Sequence, residues 1–159
     1  MRKHPLRHPE DHSDRKLLAD VEQFGWHVVG IEADEHGPGY AFSVGLYHTL
    51  DQPEILLLGL SHTIAAQLIN LIGDAMQAGT TFRDGDIRDE IAEGFPLAFR
   101  AVPREYYRDY VGYAGWFYAS PDFPLLQCIW PDKQRRFPWD TGCDDACAEL
   151  QRLVNQPDD

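Results

Sequence analysis

The run "EILLLGL" at residues 54–60 contains only Ile, Leu and one Gly after its opening Glu54. A strand with one face in water alternates polar and apolar residues, so a continuously apolar run must be covered on both faces. It is also far shorter than a bilayer span. It leads directly into "SHTIAAQLINLIGDAMQAG", where Ser61 suits a helix cap and Ile64, Leu68, Leu71, Ile72 and Ala75 recur at helical spacing up to Gly79. The chain must therefore build around a fully buried strand followed at once by an amphipathic helix.

The other segments fit that centre. The spacing of Leu17, Leu18, Val21 and Phe24 predicts a first helix capped by Ser13 and closed by Gly25. Residues 1–12 read as a disordered arm. His4, His8 and His12 fall four apart, but Pro5 and Pro9 forbid the helix that would align them as metal ligands. "WHVVGIE" (26–32) and "YAFSVGL" (40–46) read as strands joined by the turn-rich "ADEHGPG", a spacing that favours antiparallel pairing. In the second run Tyr40, Phe42, Val44 and Leu46 share a large face, and Ala41, Ser43 and Gly45 a small one. The small face admits either a packed helix or a flat ligand close to the backbone.

Downstream, the pattern predicts a short helix at 87–93, a strand "FPLAFRAV" (95–102), and an aromatic helix "PREYYRDYVGYAGWFY" led by Pro103. A strand "PLLQCIW" (124–130) and an amphipathic helix over 144–154 come next, with a frayed tail at 156–159. The expected architecture is one α+β domain over 13–155, with a mostly antiparallel sheet or split-barrel-like core and three to five helices.

Charge and cysteine usage narrow the function. The chain of 159 residues carries 14 Lys plus Arg against 26 Asp plus Glu, a formal net charge of −12. No Lys or Arg occurs between Lys16 and Arg83, whereas Asp20, Glu22, Glu32, Asp34, Glu35, Asp51, Glu54 and Asp74 all do. Such a field repels phosphates and attracts cations, which argues against nucleic-acid binding and for a basic protein partner, although acidity also serves solubility. Cys128, Cys143 and Cys147 are an odd set, against a disulfide framework. Cys143 and Cys147 lie four apart without a second pair, so no zinc site is expected. The N-terminus has no apolar segment behind its basic residues, so no secretory signal is expected, and the reading is a cytoplasmic protein without membrane contact.

An exception to the acidity is "WPDKQRRFPWD" (130–140), where Lys133, Arg135 and Arg136 crowd between two Trp-containing corners. Arg135 and Arg136 can stack on Trp130, Trp139 or Phe137, or pair with Asp132 and Asp140. The segment is either a self-contained loop clamp or an aromatic–arginine binding patch. "GWHVVGI", "GPGYAFSVGLYHTLDQPEILLLGL", "AGWFY" and "PLLQCIWPDKQRRFPWD" together resemble the bacterial domain of unknown function 4262 family, over roughly residues 15–142. That resemblance implies no reaction, cofactor or catalytic residue. A fold-level likeness to flavin-reductase-type split β-barrels implies a flavin, but the chain lacks that group's basic phosphate motif near Ser61.

Two functions stand as expectations. In the first, a small acidic binding protein of toxin-neutralising or immunity type engages a basic protein through Glu32, Asp34, Glu35, Trp130, Arg135, Arg136 and Trp139. The 32–36 loop, with His36, lacks the full ligand spacing of a calcium loop and reads as a solvated turn. In the second, a split barrel holds FMN, another flavin or a nucleotide, as an oxidoreductase would, through Ser43, the helix start at Ser61, His62 and Thr63, and Arg135 and Arg136. No catalytic residue can be assigned from spacing, and a homodimer is left open.

Overall fold

The computed structural model describes residues 11–35 and 37–154. Most of the arm expected at 1–12, His36 and the tail expected at 156–159 lie outside the described residues.

Helix α1 (His12–Phe24) begins slightly earlier than expected, because Asp11 rather than Ser13 is the cap: its carboxylate accepts the Asp14 N–H at 2.8 Å. Gly25, at φ 104°, closes it in the left-handed conformation. Next come β1 (His27–Ile31), β2 (Tyr40–Val44), α2 (Leu46–Leu50), β3 (Glu54–Leu58), α3 (His62–Gln77), β4 (Ile87–Ala92) and β5 (Phe95–Ala101). A 3₁₀ turn (Arg104–Tyr106), α4 (Tyr107–Tyr110), α5 (Gly112–Tyr118), β6 (Leu125–Ile129) and α6 (Asp145–Leu150) complete the elements of the described residues.

The six strands form one open sheet in the order β1-β2-β3-β6-β5-β4, with β1 and β4 at its edges. Every pairing is antiparallel except β3 with β6, where Ile55 lies opposite Leu126. Both central strands are buried along their whole length, as the apolar run requires. One core cluster joins Phe42, Val44, Leu56 and Leu125 to Leu17 and Val21 of α1, Tyr107 of α4 and Phe117 of α5. The other joins Ala41, Ile55, Leu57, Phe99 and Cys128 to Ala65, Ile69, Ile72 and Met76 of α3. The fold is thus α+β, a mostly antiparallel sheet between two helical layers.

Several elements depart from the expected pattern for identifiable reasons. The strand expected over 40–46 stops at Val44, because Gly45 at φ 117° turns the chain into α2 and carries Leu46 into the α3-side core. In α3 the buried stripe is Ala65, Ile69, Ile72, Gly73 and Met76, while Ile64 and Leu71 are exposed. Small residues face inward there because Trp26 fills the space: a Cβ on Gly73 would lie 2.5 Å from its ring. The helix expected at 87–93 is strand β4, paired with β5 through Ile87 opposite Ala98. The aromatic helix breaks at Val111 (φ −121°, ψ 39°), which separates α4 from α5.

The last expected helix ends at Leu150, and side-chain amides hold residues 151–154 against the sheet. Gln151 Oε1 accepts the Trp130 N–H at 3.1 Å, and its Nε2 donates to the Trp130 carbonyl at 2.5 Å. Gln127 Nε2 donates to the Arg152 carbonyl at 2.7 Å, and its Oε1 accepts the Val154 N–H at 2.9 Å. These two buried amides do for this segment what a backbone ladder would do for a strand.

Candidate functional site: an acidic cleft at one end of the sheet

Pairing places Ile31 opposite Tyr40 and Tyr40 opposite Leu58. Trp130, after the parallel strand β6, donates its Nε1–H to the Leu58 carbonyl at 2.8 Å. The β1–β2 loop, the start of α3 and the segment after β6 therefore gather at one end of the sheet, the end reached by the C-termini of β3 and β6.

The loop folds back on itself through paired Asp34 and Gly37 backbone bonds of 3.0 and 3.3 Å. Gly39 makes the return possible, since a Cβ there would meet the Ile31 carbonyl oxygen at 3.0 Å. Cavities open on both sides. One, of about 640 Å³, is walled by Gly30, Glu32, Tyr40, Ser61, His62 and Leu150, among others. His62 lies over Gly30 so closely that a Cβ on that glycine would fall 1.9 Å from its Nδ1. The other, of about 440 Å³, is walled by Glu32, Asp34, Tyr40, Asp109, Tyr110, Glu149 and Arg152, among others.

This second cleft is acidic and aromatic at once. Four carboxylates stand against one guanidinium, and Tyr40 meets Tyr110 edge-to-face with ring centroids 5.3 Å apart. Burial pushes the Tyr40 phenol above its ordinary range, and the nearby Tyr110, Asp34 and Asp109 push it further the same way. The same field that disfavours a phenolate favours a cation. Ring faces and carboxylate oxygens are the groups that receive ammonium and guanidinium ions.

Of the residues singled out from sequence, Glu32 and Asp34 line this cleft, and Glu35 is exposed on the same loop. Ser61 caps α3 by accepting the Ile64 N–H at 3.3 Å and, with His62, lines the larger cavity. Thr63 is exposed and is not among the residues lining it. Ser43 is in neither wall: it is fully buried, donating to Glu54 Oε1 at 2.7 Å and accepting the Ile55 N–H at 2.9 Å. The small face of β2 is thus covered by α3 rather than open to a flat ligand.

The arginine-rich segment is tied around Asp132. That carboxylate accepts the N–H groups of Gln134, Arg136 and Asp144, each at 2.9 Å, and Arg136 Nε at 3.2 Å. Burial would raise its pKa, but the N–H groups of Arg136, Asp144 and Gln134 and the Arg136 guanidinium outweigh that and bring it down to about 2. Phe137 stacks on Trp139 at 4.9 Å, and Arg100, not Arg135 or Arg136, lies 4.4 Å over the Trp139 ring. Arg135 is exposed, with its backbone at φ 64°. The geometry here is that of a loop clamp.

The model of the family described as Domain of unknown function (DUF4262) matches residues 20–144. The chain belongs to the DUF4262 family. No curated protein and no solved structure matches it. The family span contains the strands, the acidic loop, Asp109 and the Asp132 clamp, and leaves out Glu149 and Arg152 of the cleft wall. Among the described residues, no helix is long and apolar enough to cross a membrane, and no group of three or more His, Cys, Asp or Glu could hold a metal.

Also within the family span is a cluster that sequence reasoning passed over. Glu54, at the start of the central strand, is completely buried. Its carboxylate accepts Ser43 Oγ, the N–H groups of Gly45 (2.9 Å), Leu46 (3.1 Å) and Tyr47 (3.4 Å) at the start of α2, and the Tyr118 hydroxyl. Tyr118 Oη in turn accepts the His48 N–H at 3.1 Å. Burial raises the Glu54 pKa more than these donors lower it, and burial together with the neighbouring carboxylate drives the Tyr118 phenol far up. Its signal was a lone charged residue heading an otherwise apolar strand. With its acceptor capacity filled from inside, Glu54 pins α2, β2, β3 and α5 together.

Proposed function

We propose that this protein is a binding module that receives a cationic segment of a basic protein in the cleft beside Tyr40, in the manner of a toxin-neutralising or immunity protein. The observation that carries the reading is the convergence of Glu32, Asp34, Asp109 and Glu149 on a cavity that also holds the Tyr40–Tyr110 pair. Long-range attraction comes from the net charge of −12 and accelerates encounter. Short-range selection comes from the cleft, where a Lys or Arg side chain finds carboxylate oxygens and aromatic rings together. The reading fits an end of the sheet where Glu32, Asp34, Asp109 and Glu149 are all exposed, whereas Glu54 at the other end is completely buried.

Affinity capture tests it. Wild-type protein and a Glu32→Lys, Asp109→Lys variant are used as baits, and retained proteins are identified by mass spectrometry. The wild type should retain a basic protein that the variant loses. Equal retention by both would remove the cleft from the interaction, and a bound flavin in the purified protein would favour cofactor binding instead.

A further inference from the structure

A third cavity, of about 610 Å³, opens alongside edge strand β1 between α1 and α3, and it shares no wall residue with the two at the loop end. Its wall combines Lys16, Asp20 and Phe24 of α1, Trp26 and the start of β1 at His27 and Val28, and Asn70, Asp74 and Gln77 of α3. Two of these polar side chains are oriented from behind. His27 Nδ1 is bonded to Asp20 Oδ2 at 2.6 Å, which leaves Nε2 without a partner among the described residues. Asn70 Oδ1 accepts the Trp26 indole N–H at 2.9 Å, which fixes the amide so that its NH₂ is the free donor.

A carboxylate-oriented imidazole and an oriented amide donor in one cavity are the elements from which a general base and an oxyanion-stabilising group can be built. Lys16 Nζ bonds the other Asp20 oxygen at 2.9 Å, so the carboxylate is held from both sides. Burial would raise the Asp20 pKa, yet the bonds from Lys16 and His27 keep it below the ordinary carboxylate value. Asp20 therefore remains the anion that orients the ring. Phe24, 60% exposed at the cavity rim, and the Trp26 ring supply an apolar surface.

We propose that this cavity hydrolyses small carboxylic esters bearing an apolar group. His27 Nε2 takes a proton from water as the water oxygen bonds to the carbonyl carbon. The carbonyl oxygen becomes an oxyanion held by the Asn70 amide. The carbon–alkoxy bond then breaks, and His27 returns its proton to the departing alcohol, so that ester and water become acid and alcohol. His27 and Asn70 are the catalytic residues, and Asp20 is a positioning residue. The site does not depend on the acidic cleft and stands or falls separately from it.

The test uses the full chain and p-nitrophenyl acetate. The wild type should show saturable hydrolysis, and His27→Gln should lower kcat/KM by at least about tenfold, since general-base catalysis contributes roughly 10²–10⁴-fold. Asp20→Asn should lower kcat more than it changes KM and alter the pH–rate profile, with Asp20→Glu restoring part of the rate. Asn70→Ala should also lower kcat, while His12→Gln, at an exposed imidazole outside this cavity, should leave it unchanged. The charged groups lining the cavity with His27 are Lys16 and Asp20 on α1 and Asp74 on α3, and Val44 of β2 stands opposite His27 in register. If a variant does not fold, mass-spectrometric mapping of diethyl pyrocarbonate modification in the wild type decides: activity should fall in step with acylation of His27. Non-saturable hydrolysis, equal rates in wild type and His27→Gln, or activity that persists after His27 is acylated would overturn the proposal.

Discussion

At the Glu54 end of the sheet five donors converge on one completely buried carboxylate, and at the Tyr40 end four carboxylates line an open cleft with one guanidinium among them. Both ends carry carboxylates, one in the first case and four in the second, but they use them oppositely. Glu54 has no hydrogen-bonding capacity left for a ligand, and its role is to hold α2 and α5 on the sheet. The cleft acids stand in the wall of an open cavity, so their charge reaches a partner that enters it. A buried polar group that is fully satisfied specifies a structure, whereas exposed charge gathered in a concavity contributes little to stability and much to recognition.

The contrast breaks most visibly if Glu54 proves dispensable. Glu54→Ala should cost at least about 3 kcal/mol, because several buried N–H and O–H groups would lose their acceptor together. At this chain length that is a fall of roughly 6–12 °C in Tm. Urea denaturation at neutral pH would measure it, and a cost below about 1 kcal/mol would mean that the cluster relaxes or admits water.

Next in size is Ser43→Leu, which should destabilise by about 1–3 kcal/mol through overpacking beneath α3, with the bonds to Glu54 and Ile55 lost as well. A variant as stable as the wild type would show that the small face of β2 has room for something other than the helix.

The two satisfied carboxylates should also respond to pH with opposite signs. The folded protein holds Asp132 down at about 2, so its contribution is present above the unfolded value and is lost as pH falls through the folded one. Glu54 is raised in the folded state, so the folded protein binds its proton more readily, and the favourable contribution is lost as pH rises through the folded value. Asp132→Asn should therefore flatten the acid limb of a stability–pH curve between pH 3.8 and about 2. Glu54→Gln should flatten the decline above 4.5. Unchanged curves would show that neither group titrates as its environment requires.

How far these features could be read from sequence depended on whether they are local. The strand expected over 54–60, the Ser61 cap, the Gly25 stop and the antiparallel β1–β2 pair are written in short-range pattern, and they stand where pattern put them except that the strand ends at Leu58. Strand β4 was illegible because Ile87 and Ile91 are four apart, a helical spacing, and only pairing with β5 makes the segment extended. The inward face of α3 was misjudged because size decided it: Ala65 and Gly73 fit against the sheet and Trp26 where Ile64 and Leu71 do not. The acidic loop was visible as charge, but Asp109, Tyr110 and Glu149 reach it from far along the chain. Glu54 was visible as a residue and hidden as a site, since its donors come from β2, α2 and α5.

The smallest stability effect belongs to the cleft, and so does the central claim. Glu32→Lys with Asp109→Lys should change stability by less than about 1 kcal/mol, because both side chains are exposed. A fluorescently labelled arginine-rich peptide titrated into this variant is the most direct test, alongside Asp89→Lys with Glu93→Lys, which makes the same change in net charge at exposed residues by the opposite edge strand, away from the cleft walls. The account predicts that the cleft variant loses at least about tenfold in affinity and the charge-matched variant about twofold or less. The difference should shrink at high salt, where the screening length falls to about 3 Å near 1 M. Equal losses in the two variants would reduce the attraction to net charge alone, and no loss in the cleft variant would contradict a binding role for this end of the sheet.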